Sequence, residues 1–170
     1  MVRTLFLLWE VLVKNYVTLN NTLQVFYPDG FHVMDEAERS KLKSLGGGPV
    51  ECLSDPERHI LISTGWKSVG RLVGMLFGAK DAAKSAEAQV RKAMKGNGYR
   101  SHGFFTKEVG GEEARGYCYE YEAEGMVMYG ETCVVKRGKE LYFLHFYTRV
   151  AMKDENLEMW NGMLASAAWN

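Results

Sequence analysis

Three side chains in the last third of the sequence have the chemistry of zinc ligands: Cys118, Cys133 and His145. Zinc binds thiolate sulfur and imidazole nitrogen, and a site needs its ligands on one face of the fold. A two-residue hairpin loop at Glu124–Gly125 would place Cys118 opposite Glu131, with Cys133 on the same face. The following turn leaves the face of His145 open. Because there are only three such ligands and no short Cys-x-x-Cys spacing, we expect core residues, with no metal and no cofactor.

Nucleophilic catalysis lacks a sequence signature. There is no Gly-x-Ser-x-Gly elbow, and neither Cys52 nor Ser63 has an activating partner at a diagnostic spacing. Several carboxylates alternate along predicted strands in a pattern that favours a solvated face. They are Glu120, Glu122, Glu124 and Glu131. We therefore expect no catalytic residues and a protein that is not an enzyme, with a hydrolase as the weakest alternative.

Two glycine clusters have structural rather than chemical interpretations. Residues 46–48 run into a proline and lack the Gly-Lys-Ser/Thr ending of a phosphate-binding loop. Gly70, Gly74 and Gly78 recur every four residues, which predicts a smooth face on a helix that begins at Ser68. Since each glycine costs a helix about 1 kcal/mol relative to alanine, this face indicates close packing on the sheet or on a sister chain.

The best candidate binding surface is aromatic and basic. Tryptophan, phenylalanine and arginine are favoured anchors in protein interfaces. The candidates for partner or ligand binding follow one predicted strand or lie on the strand before the Gly110–Gly111 turn. They are Trp66, Lys67, Arg71, His102, Phe104 and Phe105. The alternative is that Trp66 and one phenylalanine fill the core.

An antiparallel meander predicted in the last third of the chain positions Cys118, Cys133 and His145. Tyr117, Tyr119 and Tyr121 fall on one face of the first run, which is typical of a half-buried strand. Turns at Glu124–Gly125 and at residues 137–139 separate it from two further runs. The last run, residues 141–147, is apolar on both faces, which predicts a strand at the centre of a covered sheet.

Other elements follow from turn and cap signals. Two hairpins are predicted, one around Asn20–Asn21 and one around Asp55–Pro56. Asp35 and Glu38 form a capping box that predicts a helix through Leu45. The remaining helices are predicted over residues 69–95 and from an Asp154 cap, the latter with Leu157, Trp160, Leu164 and Ala167 on one stripe.

The N-terminal residues predict a second structural unit beside the main domain. Residues 1–15 read as an apolar helix and residues 16–170 as one domain. The helix must be covered, either by its own core or by a second chain or a membrane surface, so a homodimer is one alternative. Its predicted oligomer contacts are Leu5, Leu8, Trp9 and Leu12.

Composition limits the function classes. The chain has 170 residues, of which 46% are hydrophobic, and its 21 basic and 21 acidic residues give a net charge of zero. A neutral chain has no long-range attraction for a phosphate backbone, so we expect no nucleic-acid partner. Three cysteines without a spacing motif, no recognisable secretory signal and no apolar run long enough for a membrane span predict a cytoplasmic protein.

The order of these elements resembles the PsbP-like family. The resemblance lies in a Tyr27–Phe31 opening with Pro28 and Gly30, a long middle helix, residues 111–119, the aromatic strand at residues 141–144 and a terminal helix. It covers roughly residues 16–169. It implies an α+β fold, an α/β/α sandwich with a central antiparallel sheet between helices. The family includes an extrinsic subunit of photosystem II and a Ran-binding protein, and it offers no family-wide catalytic residues.

Two functions are therefore predicted. The first is a non-enzymatic accessory module that binds a protein partner. The alternative is a small-ligand-binding protein with an aromatic cleft between the sheet and the glycine-rich helix.

Overall fold

A computed structural model describes residues 15–42 and 51–170 of the chain. The strands in these ranges are β1 (Asn15–Leu19), β2 (Leu23–Tyr27), β3 (His32–Val33), β4 (Glu51–Asp55), β5 (Ile60–Ser68), β6 (Arg100–Val109), β7 (Glu112–Ala123), β8 (Met126–Arg137), β9 (Glu140–Arg149) and β10 (Ala168–Trp169). The helices are α1 (Glu36–Ser40), α2 (Arg71–Leu76), α3 (Ala79–Ala93) and α4 (Lys153–Ser166), with a 3₁₀ turn at Val150–Met152. None of these described helices has the length and apolar character needed to cross a bilayer.

The strands form two antiparallel sheets. Seven strands pair in the order β3-β4-β5-β9-β8-β7-β6, and β1-β2-β10 form a smaller sheet. The predicted meander is β7-β8-β9, and β9 is the fourth of the seven strands, as its two apolar faces predicted. The α+β class with antiparallel sheets is confirmed.

The β7–β8 hairpin has the predicted register. Ala123 pairs with Met126 across a two-residue loop, in which Glu124 has φ 51° and Gly125 has φ 76°. Two positive φ angles are the geometry of a type I′ turn, whose twist matches that of the strands. Cys118 consequently lies opposite Glu131, as predicted.

Alternating side chains divide the buried residues between the two faces of the large sheet. On one face, Cys133 and Leu144 belong to a cluster with Trp160 of α4, and this cluster also takes in residues of β1 and β2. On the other face, Val134 and Leu141 belong to a cluster with α3. The helices α3 and α4 therefore pack against opposite faces.

One predicted solvated carboxylate is buried. Glu131 is only 2% exposed, because α4 covers its part of β8. Its carboxylate forms an ion pair with Lys107 and accepts hydrogen bonds from the Tyr129 hydroxyl at 2.9 Å and from Trp160 Nε1 at 3.1 Å. Three donors replace the water that burial removes. The prediction of a solvated face for Glu131 was wrong because alternation cannot show which surface a helix covers.

The single helix predicted over residues 69–95 is interrupted. Phe77 has extended backbone angles, φ −108° and ψ 107°, and α3 begins after Gly78, whose N–H donates to Asp81 Oδ2 at 3.1 Å. Gly70 and Gly78 are the N-caps of α2 and α3, so the predicted smooth glycine face was wrong and only Gly74 lies inside a helix. Glycine is tolerated much better at a cap than in a helix interior, which explains the break.

The cap and hairpin predictions have mixed outcomes. The Asp35 capping box and both hairpins are present, with Asn20 and Asn21 at φ 49° and 50°. α1 ends at Ser40, five residues before the predicted end. Asp154 is not an N-cap, because the 3₁₀ turn runs directly into α4 and makes Met152 the N-cap.

The predicted N-terminal helix, with Leu5, Leu8, Trp9 and Leu12, and the glycine run at residues 46–48 lie outside the described residues.

Candidate functional site

A cavity of about 620 Å³ lies between the large sheet and α3. We call it the aromatic cavity. Its volume falls within the range of about 300–1,000 Å³ that is usual for small-molecule sites. The residues that line it from the sheet include Ser63, Gly65, Lys67, Tyr117, Tyr119, Tyr121, Phe143, His145 and Tyr147, and α3 contributes Ala82, Ala86, Gln89 and Val90.

Two aromatic rows on β9 and β7 form much of the cavity wall. On β9, His145 stacks between Phe143 and Tyr147, with ring centroids 6.3 Å and 6.4 Å apart. These residues occupy alternate positions and therefore share one face of the strand. On β7, Tyr119 lies between Tyr117, on which it stacks at 6.0 Å, and Tyr121, whose ring is tilted by 34° at 5.7 Å.

Small residues leave the space between these rows and α3. Gly130 of β8 pairs with Tyr119 on one side and Tyr147 on the other, and an added Cβ there would lie 2.5 Å from the Tyr119 ring. Gly65 of β5 pairs with Phe143, and an added Cβ there would have no heavy atom within 4 Å. Gly65 therefore borders open space, whereas Gly130 is required by a neighbouring ring.

His145 is held as a neutral imidazole. Its Nδ1 lies 2.8 Å from Thr132 Oγ1, and burial lowers its pKa to about 4. An uncharged ring contributes to an apolar wall rather than to a charged site.

The Tyr117 hydroxyl is buried without a hydrogen-bond partner among the described residues. The side chain is 0% exposed, and the hydroxyl of its register partner Thr132 lies 2.8 Å from His145 Nδ1. Burial raises the pKa of Tyr117 to about 12, so the phenol keeps its proton. A buried hydroxyl that lacks a partner costs about 1–3 kcal/mol, which a polar atom of a ligand would recover.

Lys67 is the only permanently charged side chain among the described residues that line the cavity, and no carboxylate lines it in this part of the chain. Lys67 pairs with Leu141, a member of the cluster on the α3 face, and its Nζ lies 5.3 Å from the ring centroid of Phe143. The side chain is exposed, which places the charge at the solvent edge of the cavity.

The predicted binding residues do not form one surface. Lys67 lines the aromatic cavity, while Trp66 also borders it but pairs with Tyr142, which belongs to the opposite cluster. Arg71 lines a separate groove with Gly74 and Lys139. That the first two contribute to a binding site stays a prediction.

The three predicted residues on β6 lie apart from this cavity. His102 Nε2 is 3.3 Å from Glu120 Oε1. Phe104 is 53% exposed and lies beside Tyr117, whereas Phe105 packs on the opposite face with Lys107 over its ring. Consecutive residues of a strand point to opposite faces, so Phe104 and Phe105 cannot contribute to one surface.

Sequence reasoning treated the tyrosines of β7 and the residues of β9 as core. The one signal that could have revealed a cavity is the series of small residues that surround these rings. They are Gly65, Ala82, Ala86 and Gly130.

The candidate zinc ligands are separated by the sheet. Cys133 pairs with Leu144, while His145 pairs with Thr132, so the imidazole lies on the face opposite both cysteines. Burial raises the pKa of the Cys52 thiol to about 11 and also raises those of Cys118 and Cys133. Within residues 15–42 and 51–170 no group of three His, Cys, Asp or Glu side chains could hold a metal.

Solved structures share this arrangement of strands and helices. The cyanobacterial PsbP (CyanoP) of Synechocystis sp. PCC 6803 has a TM-score of 0.68 at 14% identity, over 92% of this chain and 92% of that chain. This chain has a PsbP-like fold. LpqN of Mycobacterium tuberculosis, described as involved in cell envelope biogenesis, is similar at a TM-score of 0.53 and 13% identity, over 87% of this chain and 83% of that one.

A protein of Bacteroides thetaiotaomicron is also similar in structure, with a TM-score of 0.56 and 9% identity. The match covers 87% of this chain but 45% of that protein. No family model and no curated protein matches the sequence. At these identities the similarity concerns the fold, so function must be argued from the cavity itself.

Proposed function

We propose that this protein binds a small, largely apolar ligand in the aromatic cavity. The proposal rests on one observation: beside an aromatic space of about 620 Å³, the buried hydroxyl of Tyr117 has no hydrogen-bond partner among the residues that the structure describes. A wholly apolar cavity could remain empty, but a buried polar group without a partner favours an occupant. The rings of Phe143, Tyr147 and Tyr119 offer broad apolar contact to such a molecule.

The proposed role is binding rather than catalysis. In the buried part of the cavity wall, His145 is a neutral imidazole and Tyr117 a protonated phenol. Both are suited to hydrogen bonding with an uncharged ligand. The packing of α3 and α4 on opposite faces of the sheet supports the predicted α/β/α sandwich, in which the cavity lies in one helix–sheet layer.

Titration with the fluorescent neutral probe N-phenyl-1-naphthylamine tests this proposal. We expect saturable binding to the natural chain and about tenfold weaker binding to Gly65→Leu, because the new side chain would occupy the cavity. The added atoms meet open space, so the fold should persist, as circular dichroism would verify.

The matched control changes an apolar surface on α2. Leu72→Ser combined with Leu76→Ser should leave the probe affinity unchanged, since neither residue lines the cavity. Equal affinity of the natural chain and Gly65→Leu, or loss of binding in the α2 control, would overturn the proposal.

A second candidate function, docking on a protein partner, is favoured by α2. This six-residue helix exposes four large apolar side chains, which we call the α2 patch: Leu72 (80%), Val73 (55%), Met75 (79%) and Leu76 (88%). Exposed apolar patches of this kind mark interaction sites. The partner we propose is a protein with an apolar groove bordered by carboxylates.

The charge around the α2 patch supports that partner. Lys136 donates to the carbonyl of Gly74, and Arg71 and Lys139 line the groove beside the helix. None of these three basic side chains forms an ion pair within the described residues. Basic groups around an apolar patch complement an acidic rim and speed association.

A photo-crosslinking amino acid at Leu76 tests this second candidate, with the same group at the exposed Val127 as control. The captured partner, once purified, should bind Leu72→Ser/Leu76→Ser at least tenfold more weakly, and Arg71→Glu/Lys139→Glu more weakly at low salt. Equal affinity in all variants, or adducts with this chain alone, would contradict it.

A further inference from the structure

We propose that the ligand of the aromatic cavity is an amphipathic anion, whose apolar body lies among the rings and whose anionic group contacts Lys67. This inference rests on the proposed ligand-binding function and adds the chemical class of the ligand.

The charge of the cavity wall favours an anion. Lys67 is the only permanent charge among its described lining residues, and carboxylates do not line it in that part of the chain. An anion would therefore meet one opposite charge and no like charge. A cation would be repelled by Lys67, whose own ammonium group already lies over the ring of Phe143.

The position of Lys67 also suits an anion. Its ammonium group lies over the Phe143 ring and forms no ion pair with a described carboxylate. The ammonium therefore retains hydrogen-bond donors for a ligand oxygen, and lysine binds such oxygens as a flexible point charge.

The inner wall has a different character. Tyr117 is fully buried, and the aromatic rows of β7 and β9 carry no formal charge. Burying an anionic group there would cost its hydration without a compensating cation. The apolar body therefore belongs inside, with the charge at the exposed edge beside Lys67.

Two probes that differ by one anionic group test the inference. 8-Anilino-1-naphthalenesulfonate has the same aromatic body as N-phenyl-1-naphthylamine and adds a sulfonate. We expect the natural chain to bind the sulfonate probe about tenfold more tightly than the neutral probe at low salt, as a charge-assisted hydrogen bond would provide.

Variants of Lys67 then assign the preference to one side chain. Lys67→Met should bring the ratio of the two affinities close to 1, mainly by weakening the sulfonate probe, while Lys67→Arg should keep most of the preference. Added salt should reduce the ratio in the natural chain and have little effect on it in Lys67→Met.

The results of these titrations distinguish the anionic ligand from the more general proposal that the cavity binds a small ligand. Similar affinities of the two probes for the natural chain, or a sulfonate preference that survives Lys67→Met, would overturn the anionic ligand and leave the cavity function standing. A sulfonate signal that Gly65→Leu does not weaken, or that the α2 control Leu72→Ser/Leu76→Ser removes, would show that the sulfonate probe binds outside the cavity and would overturn the anionic ligand. Both proposals fall only if Gly65→Leu also leaves the affinity of the neutral probe unchanged.

Discussion

Thr132 Oγ1 and His145 Nδ1 lie 2.8 Å apart and join β8 to β9 across the α3 face of the sheet. Thr132 is also the residue of β8 that pairs with Tyr117 of the neighbouring strand β7. The Tyr117 hydroxyl has no hydrogen-bond partner within the described residues, and burial keeps the imidazole of His145 uncharged. The cavity wall thus combines a neutral imidazole with a phenol hydroxyl that is unpaired among the described residues.

The first prediction concerns the stability of a Tyr117 variant. Tyr117→Phe should increase the free energy of unfolding of the ligand-free protein by about 1 kcal/mol, because it removes a buried hydroxyl without a partner. Tyr99→Phe is the matched control, since the Tyr99 hydroxyl donates to Glu87 Oε1 at 2.7 Å and its removal should destabilise the fold by about 1 kcal/mol. Urea denaturation measures both changes. Destabilisation of equal size in the two variants would contradict the unsatisfied state of Tyr117.

The second prediction concerns pH. Burial lowers the pKa of His145 from its usual value near 6.5 to about 4, so between these values the unfolded chain binds a proton that the folded chain does not. Stability from this group is therefore fully present above pH 6.5 and is lost as the pH falls toward 4. Between pH 7.5 and pH 5 the loss should be about 2 kcal/mol.

Urea denaturation of the natural chain and of His145→Asn at both pH values gives their free energies of unfolding. The difference between the two proteins at each pH measures the contribution of His145. Other titrating groups cancel in that difference. The exposed His32 provides the control, and His32→Gln should keep the pH dependence of the natural chain. A difference between the natural chain and His145→Asn that does not change with pH would show that His145 is protonated equally in both states.

The third prediction concerns the buried carboxylate of Glu131. Lys107→Met should lower the free energy of unfolding by about 3 kcal/mol, because it leaves a charge that is 2% exposed without its ionic partner. Arg100→Met breaks the ion pair between Arg100, which is 66% exposed, and Glu120. It should lower the free energy of unfolding by less than about 1 kcal/mol. Guanidinium denaturation of both variants tests the contrast, which equal losses would refute.

The fourth prediction concerns thiol reactivity. Since burial raises the pKa of Cys52, Cys118 and Cys133, the folded chain contains thiols rather than reactive thiolates at neutral pH. A disulfide reagent at pH 7.5 should react on the order of 100-fold more slowly with the folded than with the unfolded chain. Cys118 is half-buried and should react first, so Cys118→Ser should remove the fastest phase. A rapid phase that persists in Cys118→Ser would contradict this order.

Local patterns in the sequence determined much of the strand structure. Alternation placed Tyr117, Tyr119 and Tyr121 on one face of β7, and the Glu124–Gly125 turn set Cys118 opposite Glu131. The aromatic run of β9 indicated a central strand. These predictions succeed because side-chain period and turn geometry act over a few residues, so the information is present in the local sequence.

Tertiary packing decided the rest. The side of the sheet that α4 covers determined that Glu131 is buried, and the β8–β9 register determined that His145 faces away from the cysteines. The aromatic cavity exists because Gly65 and the alanines of α3 leave space beside rings that come from two strands, β7 and β9. These residues are far apart in the sequence. The space between them depends on how closely the helix approaches the sheet. Sequence alone therefore determined the meander and the register of its first hairpin, while only the folded chain determined which face encloses a site, since packing between distant segments sets burial and volume.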